Sequence, residues 1–213
     1  MADEKKKKKK KRTRAQEERN YRILYVILYP IWNFFYPFKV LHRDRIPEGP
    51  CIICPNHTSL ADPPMICFAA SRKHIIRIMA KKSLLEIPIM GRVLDAIGTF
   101  AVDRGNNDMS AIKNAMRVLK DGCKLMMFPE GTRVGEGEEG SAKTGAAMLA
   151  LKTGAPIVPV YSTRPKKMFH RSTVVFGEPY VVKPAGRRAT KEEQEAVADD
   201  LLKRIYALEA EAK

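Results

Sequence analysis

From residue 50 onward, short apolar runs alternate with longer amphipathic stretches. "CIICP" (51–55), "IIRIMA" (75–80), "GTFAV" (98–102), "KLMMF" (124–128), "PIVPVY" (156–161) and "TVVFG" (173–177) read as strands. Their near-continuous hydrophobicity predicts strands buried on both faces. Between them, residues 60–70, 83–95, 108–121 and 142–153 read as helices, with Gly122 and Gly154 where C-caps are expected. A final stretch, "TKEEQEAVADDLLKRIYALEAEA", opens with a Thr190–Glu193 capping box and continues as an amphipathic helix. Strands alternating with helices predict a layered α/β domain. No internal repeat is visible, and 213 residues suit one domain with appendages.

The chain before residue 42 follows a different pattern. "ILYVILYPIWNFFYPF" (23–38) is apolar and aromatic without strand alternation. As a straight helix it would rise only ~24 Å, short of a ~30 Å hydrocarbon core. Pro30 and Pro37 predict two short helical pieces. Their Tyr and Trp content suits a membrane interface, and a buried core hairpin is the alternative. The expected organisation is a polybasic, disordered tail at 1–20, an interfacial or re-entrant segment at 21–41, and a domain at 42–213. No secretory signal peptide is expected, because many charges precede the apolar run and no small-residue cleavage site follows it.

Charge sharpens that picture. The formal net charge is +15, of which residues 1–22 carry about +7 and the rest about +8. Tail and body both favour anionic partners: phosphate substrates, acidic lipids or nucleic acid. "KKKKKKKR" (5–12) beside an aromatic wedge supplies the two signals that stable peripheral membrane binding needs. The positive-inside tendency places this tail on the cytoplasmic side. Of four cysteines, Cys51 and Cys54 form a CxxC. In an extended strand, however, residues three apart face opposite ways, so buried thiols are expected rather than a redox or metal pair. No metal site is expected.

Three stretches could carry chemistry. In "PNHTSLADPP" (55–64), His57 and Asp62 lie five apart. On a helix that separation is about 500°, leaving them about 140° out of alignment. They meet only if His57 occupies the loop after a strand and Asp62 reaches back from a helix start, which Ser59 and Pro63–Pro64 support. Spacing alone serves a capped turn equally well. In "FPEGTR" (128–133), Gly131 permits close backbone approach and Thr132 offers a hydroxyl. Arg133 can fork onto a phosphate, while Glu130 would orient Arg133 or accept from a ligand hydroxyl. "GTFAVDR" (98–104) adds Asp103 and Arg104 at another strand end. His42, His74 and His170 have no partner motif and read as structural or surface residues.

Together these stretches resemble the PlsC, or 1-acylglycerol-3-phosphate acyltransferase, family. Its Asn-His-x-Ser-x-x-Asp motif is matched by Asn56, His57, Ser59 and Asp62. Its Asp-Arg block is matched by Asp103 and Arg104, and its Phe-Pro-Glu-Gly-Thr-Arg block by residues 128–133. Its Val-Pro-Val run is matched by Val158, Pro159 and Val160. The resemblance covers roughly residues 40–180; Ser83 and Ala101 depart from the residues many members carry there. It implies a mixed, mostly buried sheet flanked by helices, preceded by a membrane-associating helical segment. It implies acyl transfer from a thioester, acyl-coenzyme A or acyl carrier protein, to the sn-2 hydroxyl of lysophosphatidic acid, with no bound cofactor.

In that reading His57 and Asp62 are catalytic, and Asn56 and Ser59 support them. Arg104, Glu130, Gly131, Thr132 and Arg133, with Lys81, surround the acceptor phosphate. The expected partners are lysophosphatidic acid, the acyl donor and an anionic membrane surface, not nucleic acid. The alternatives are another acceptor, such as glycerol 3-phosphate or another lysolipid, or a non-catalytic polybasic binder.

Overall fold

A computed structural model describes residues 12–102, 109–135 and 141–213. Asp103, Arg104 and all of the basic octamer except Arg12 lie outside the described residues.

Seven strands form one mixed sheet: β1 (Phe38–Leu41), β2 (Ile52–Pro55), β3 (Ile76–Lys81), β4 (Phe100–Val102), β5 (Lys124–Met126), β6 (Ile157–Ser162) and β7 (Ser172–Phe176). Their order is β1-β7-β6-β2-β5-β3-β4. The five strands from β6 to β4 run parallel, and β7 is antiparallel to β6. All six strands expected from the apolar runs are present. β1 was not expected as a strand; it pairs with β7 from Phe38↔Ser172 to Leu41↔Val175 and forms a sheet edge.

Helices cover both faces, which explains the near-continuous apolar strands. One core gathers Ile53, Met126, Val158, Val160 and Phe176 against α1 (Arg14–Phe35) and α2 (Asp62–Ala70). The other gathers Ile52, Leu125, Ile157 and Tyr161 against α5 (Met109–Lys120), α6 (Gly145–Thr153) and α7 (Lys191–Ala207). Cys51 and Cys54 fall in different cores, as three-residue spacing on a strand requires. The stretch read as one helix over 83–95 is two, α3 (Lys82–Glu86) and α4 (Pro88–Ala96), because Pro88 starts a new one. Thr190 and Glu193 form the expected capping box, and a four-residue α8 (Glu209–Ala212) follows α7. Gly122 and Gly154 have the positive φ of a C-terminal cap.

The N-terminal segment departs most from expectation. α1 starts at Arg14, capped reciprocally by Thr13 and Gln16, and runs unbroken through Pro30 to Phe35. Proline there removes one hydrogen bond, but packing on both sides of it keeps the helix continuous. Tyr21 is buried, and Tyr25, Tyr29 and Trp32 all pack against Phe68 of α2. Glu17 pairs with the buried Arg77 of β3 at 2.9 Å. The opposite face, with Ile23, Val26, Ile27, Ile31 and Phe34, is exposed. Among the described residues, no helix is long and apolar enough to cross a membrane.

Candidate active site

The C-terminal ends of the parallel strands β2, β5, β3 and β6 lie along one edge of the sheet, where open α/β folds gather functional groups. β2 ends at Pro55, so Asn56 and His57 project from that edge. Asp62 is the first residue of α2, with Pro63 and Pro64 pre-setting its first turn. The loop-to-helix layout inferred from spacing is therefore the one observed: His57 Nδ1 lies 3.0 Å from Asp62 Oδ2.

That carboxylate is closely held. Oδ2 also accepts the backbone N–H groups of Thr58 at 2.7 Å and Ser59 at 2.8 Å. Oδ1 forms an ion pair with Lys166 Nζ at 2.6 Å, between side chains with no solvent exposure. Burial alone would raise the Asp62 carboxyl. The His57 hydrogen bond, the Lys166 charge and the Ser59 N–H outweigh it and hold the group below its ordinary range.

The histidine is fixed through its backbone as well. Its N–H donates to Glu130 Oε2 at 2.6 Å, and its carbonyl accepts from Val134 N–H at 2.9 Å. Its ring stacks on Phe128, with centroids 4.0 Å apart. Asn56 ties the turn to β6: its amide donates to the Ser162 carbonyl at 3.0 Å and accepts from the Ser162 N–H at 2.8 Å. Ser59 Oγ accepts from the Ala61 N–H. Both residues support the turn without touching the imidazole.

Glu130 corrects an expectation. Only 2% exposed, it faces inward, and its oxygens accept the His57 N–H and the Tyr206 hydroxyl of α7. It braces the histidine loop and orients neither Arg133 nor an outside hydroxyl. Burial pushes its carboxyl above the ordinary value, although Tyr206, the His57 N–H and Arg164 oppose the rise. Gly131 has φ +72°, and a Cβ there would meet Lys143 Cγ at 2.9 Å, so this turn specifically needs glycine. Thr132, Arg133 and Lys81 are exposed; Lys81 ends β3 on the same edge of the sheet. Of the remaining histidines, His42 pairs with Glu211 at 2.9 Å, His74 is buried and His170 is exposed. Sequence reasoning missed Lys166 and Tyr206. Lys166 could have been noticed as one of three cations in "TRPKK", just past the end of a strand on this edge.

A family model described as Acyltransferase matches residues 37–163, which hold the whole of the 55–62 and 128–133 stretches. The chain belongs to the acyltransferase family. Within that family it is 31% identical over 178 residues to a 1-acyl-sn-glycerol-3-phosphate acyltransferase of Bacillus subtilis, covering 80% of this chain and 87% of the relative. It is 34% identical over 181 residues to the Streptococcus pneumoniae protein of the same name, covering 81% and 66%. Against the chloroplastic BAT2 acyltransferase of Brassica napus it is 30% identical over 139 residues, 63% of this chain but only 38% of that longer one. The crystal structure of the PlsC acyltransferase from Thermotoga maritima shares the fold, with a TM-score of 0.64 and 24% identity over 92% of this acyltransferase and 80% of that chain. Lys166 and Tyr206 lie beyond the span that the family model matches.

Proposed function

We propose that the protein transfers a fatty acyl group from an acyl thioester to the sn-2 hydroxyl of 1-acylglycerol 3-phosphate, giving phosphatidic acid. The observation that carries this reading is the buried His57–Asp62 pair at the C-terminal edge of the sheet. The names of the relatives support the same acceptor. Asp62 accepts a hydrogen bond from the Nδ1–H of His57, which leaves Nε2 as the basic nitrogen. Nε2 takes the hydroxyl proton as the oxygen attacks the thioester carbonyl. The tetrahedral intermediate then collapses, expelling thiolate, which recovers the proton from the imidazolium. The nucleophile belongs to the substrate, so no acyl-enzyme forms and no cysteine takes part.

Arg133, Thr132 and the Gly131 turn are assigned to the acceptor phosphate, with Lys81 and, from the family motif, Arg104. The exposure of Arg133 and Thr132 beside the His57 loop supports this assignment. The donor is assigned as acyl-coenzyme A or acyl carrier protein, and the working position as the cytoplasmic surface of an anionic membrane. The outer face of α1 supports that position: Ile23, Val26 and Ile27 share a groove with Arg19, Arg22, Arg72 and Lys73.

Purified protein given labelled acyl-coenzyme A or acyl carrier protein and a panel of acceptors should make phosphatidic acid, and His57→Ala should not. Product from glycerol 3-phosphate alone, or equal product from the variant, would overturn the reading. Deleting residues 1–38 would also strip the core of Tyr21 and Trp32, so the membrane assignment is better tested by Ile27→Lys with Phe34→Ser. Binding of that variant to phosphatidylglycerol vesicles should weaken; unchanged binding would overturn the assignment.

A further inference from the structure

The loop between β6 and β7 carries two consecutive lysines with opposite fates. Lys167 is exposed, whereas the Lys166 side chain has no exposed surface. Burying an ammonium is unfavourable unless a charge meets it. Lys166 meets Asp62 Oδ1 at 2.6 Å and donates to Thr58 Oγ1 at 3.1 Å, two residues of the turn that also holds His57. The loop is pinned at both ends. Thr163 and Thr173 exchange hydrogen bonds at 3.0 and 2.9 Å, and Phe169 N–H donates to the Phe35 carbonyl at the end of α1 at 2.7 Å. The cation is thus delivered to Asp62 by a fixed loop.

We infer that Lys166 is a positioning residue for the acyl transfer, fixing the second oxygen of Asp62 and offsetting the charge that would otherwise favour the imidazolium of the tethered His57. The inference rests on the reading of His57 as general base. A lone carboxylate beside an imidazole both orients the ring and favours its protonated form. A protonated His57 cannot accept the hydroxyl proton. A cation on the far oxygen leaves the Nδ1 contact in place and weakens the pull toward imidazolium.

The other charged or titratable groups around His57 do not take this role. Glu130, from the loop after β5, accepts the His57 backbone N–H and the Tyr206 hydroxyl and is not hydrogen-bonded to the imidazole. Tyr206, from α7, hydrogen-bonds Glu130. Arg164, from the same loop as Lys166, stands over the Tyr206 ring at 5.3 Å. Thr58 and Phe128, also in contact with the site, carry no charge. Among the described residues, the two ion-pair partners of Asp62 are His57 itself, on Oδ2, and Lys166, on Oδ1.

The test is a histidine titration by NMR on the full chain without substrate. The His57 signal is assigned by its absence in His57→Ala. In Lys166→Met the His57 midpoint should rise above that of the wild-type protein, as loss of a neighbouring cation requires. The acid limb of kcat/KM should move up with it. Lys166→Gln, which keeps a polar but neutral side chain beside Oδ1, should show the same rise and keeps the test open if Met leaves the carboxylate unpaired and unfolds the chain. Lys166→Arg keeps the charge and should leave the midpoint in place. A midpoint unmoved in the neutral variants, whatever their turnover, would make Lys166 a structural residue only and overturn the inference. A shift in Lys166→Arg as large as in Lys166→Met would also overturn it. Because the titration needs no substrate, its result stands apart from the acyl-transfer assay, whose failure with wild-type protein would overturn the general-base reading instead.

Discussion

Two loops leave the same edge of the sheet and are built in opposite ways. In the turn from Asn56 to Asp62, both oxygens of Asp62, the Asn56 amide and the His57 backbone are engaged by partners within the protein. In the loop after β5, Pro129 and Glu130 turn inward while Thr132 and Arg133 stand in solvent. The first loop is set before any substrate arrives; the second leaves its donors for one. A general base benefits from fixed geometry, whereas an anion-binding arginine has to be reachable.

Breaking each half should therefore give different kinetics. His57→Ala has the largest expected effect, a loss of ~10²–10⁴ in kcat with the fold intact; circular dichroism and single-turnover acyl transfer check it. Arg133→Lys keeps the charge but loses the fork. It should raise acceptor KM about tenfold, the loss of one charged hydrogen bond, with thermal stability unchanged; steady-state kinetics with varied acceptor decide. Asn56→Ala should do the reverse, leaving acceptor KM in place. It removes the partners of the Ser162 N–H and carbonyl, at a cost of about 1–3 kcal/mol in urea unfolding.

The smallest effect is in pH dependence. Asp62 is held below its ordinary value of 3.8, so its stabilisation is present above about pH 4 and is lost as pH falls through the folded value. Glu130 is raised above 4.5, so folded protein takes up its proton first and gains stability as pH falls toward 4.5. The wild-type melting temperature minus that of Glu130→Gln should therefore increase on acidification from pH 7 to 5. A flat difference would show that the brace is not held against its own charge.

What could be read in the sequence follows the range of the interactions. The six strands read from apolar runs were legible because burial on both faces writes itself into most of those runs; the edge strand β4 is the half-buried one. The His57–Asp62 layout was legible because five residues of local chain decide it. β1 was not: "FKVL" continues an aromatic stretch, and its strand character comes from β7, more than 130 residues away. The unbroken path of α1 through Pro30 depends on Phe68 of another helix. Glu130 was misread because its partners are a backbone N–H 73 positions before it and a hydroxyl 76 positions after it. Lys166 and Lys167 are identical by composition and neighbourhood, and only the tertiary path separates the buried cation from the exposed one.

The four cysteines have a practical consequence. All are buried and unpaired, and burial pushes the Cys51 and Cys67 thiols up to about 12. Thiolate is the reactive form, so the folded chain should stay silent toward thiol reagents at neutral pH. A colorimetric reagent for free thiol would then report coenzyme A release without interference from the enzyme. Without substrate, the same reagent would count chain openings, each global unfolding event uncovering four sulfurs at once.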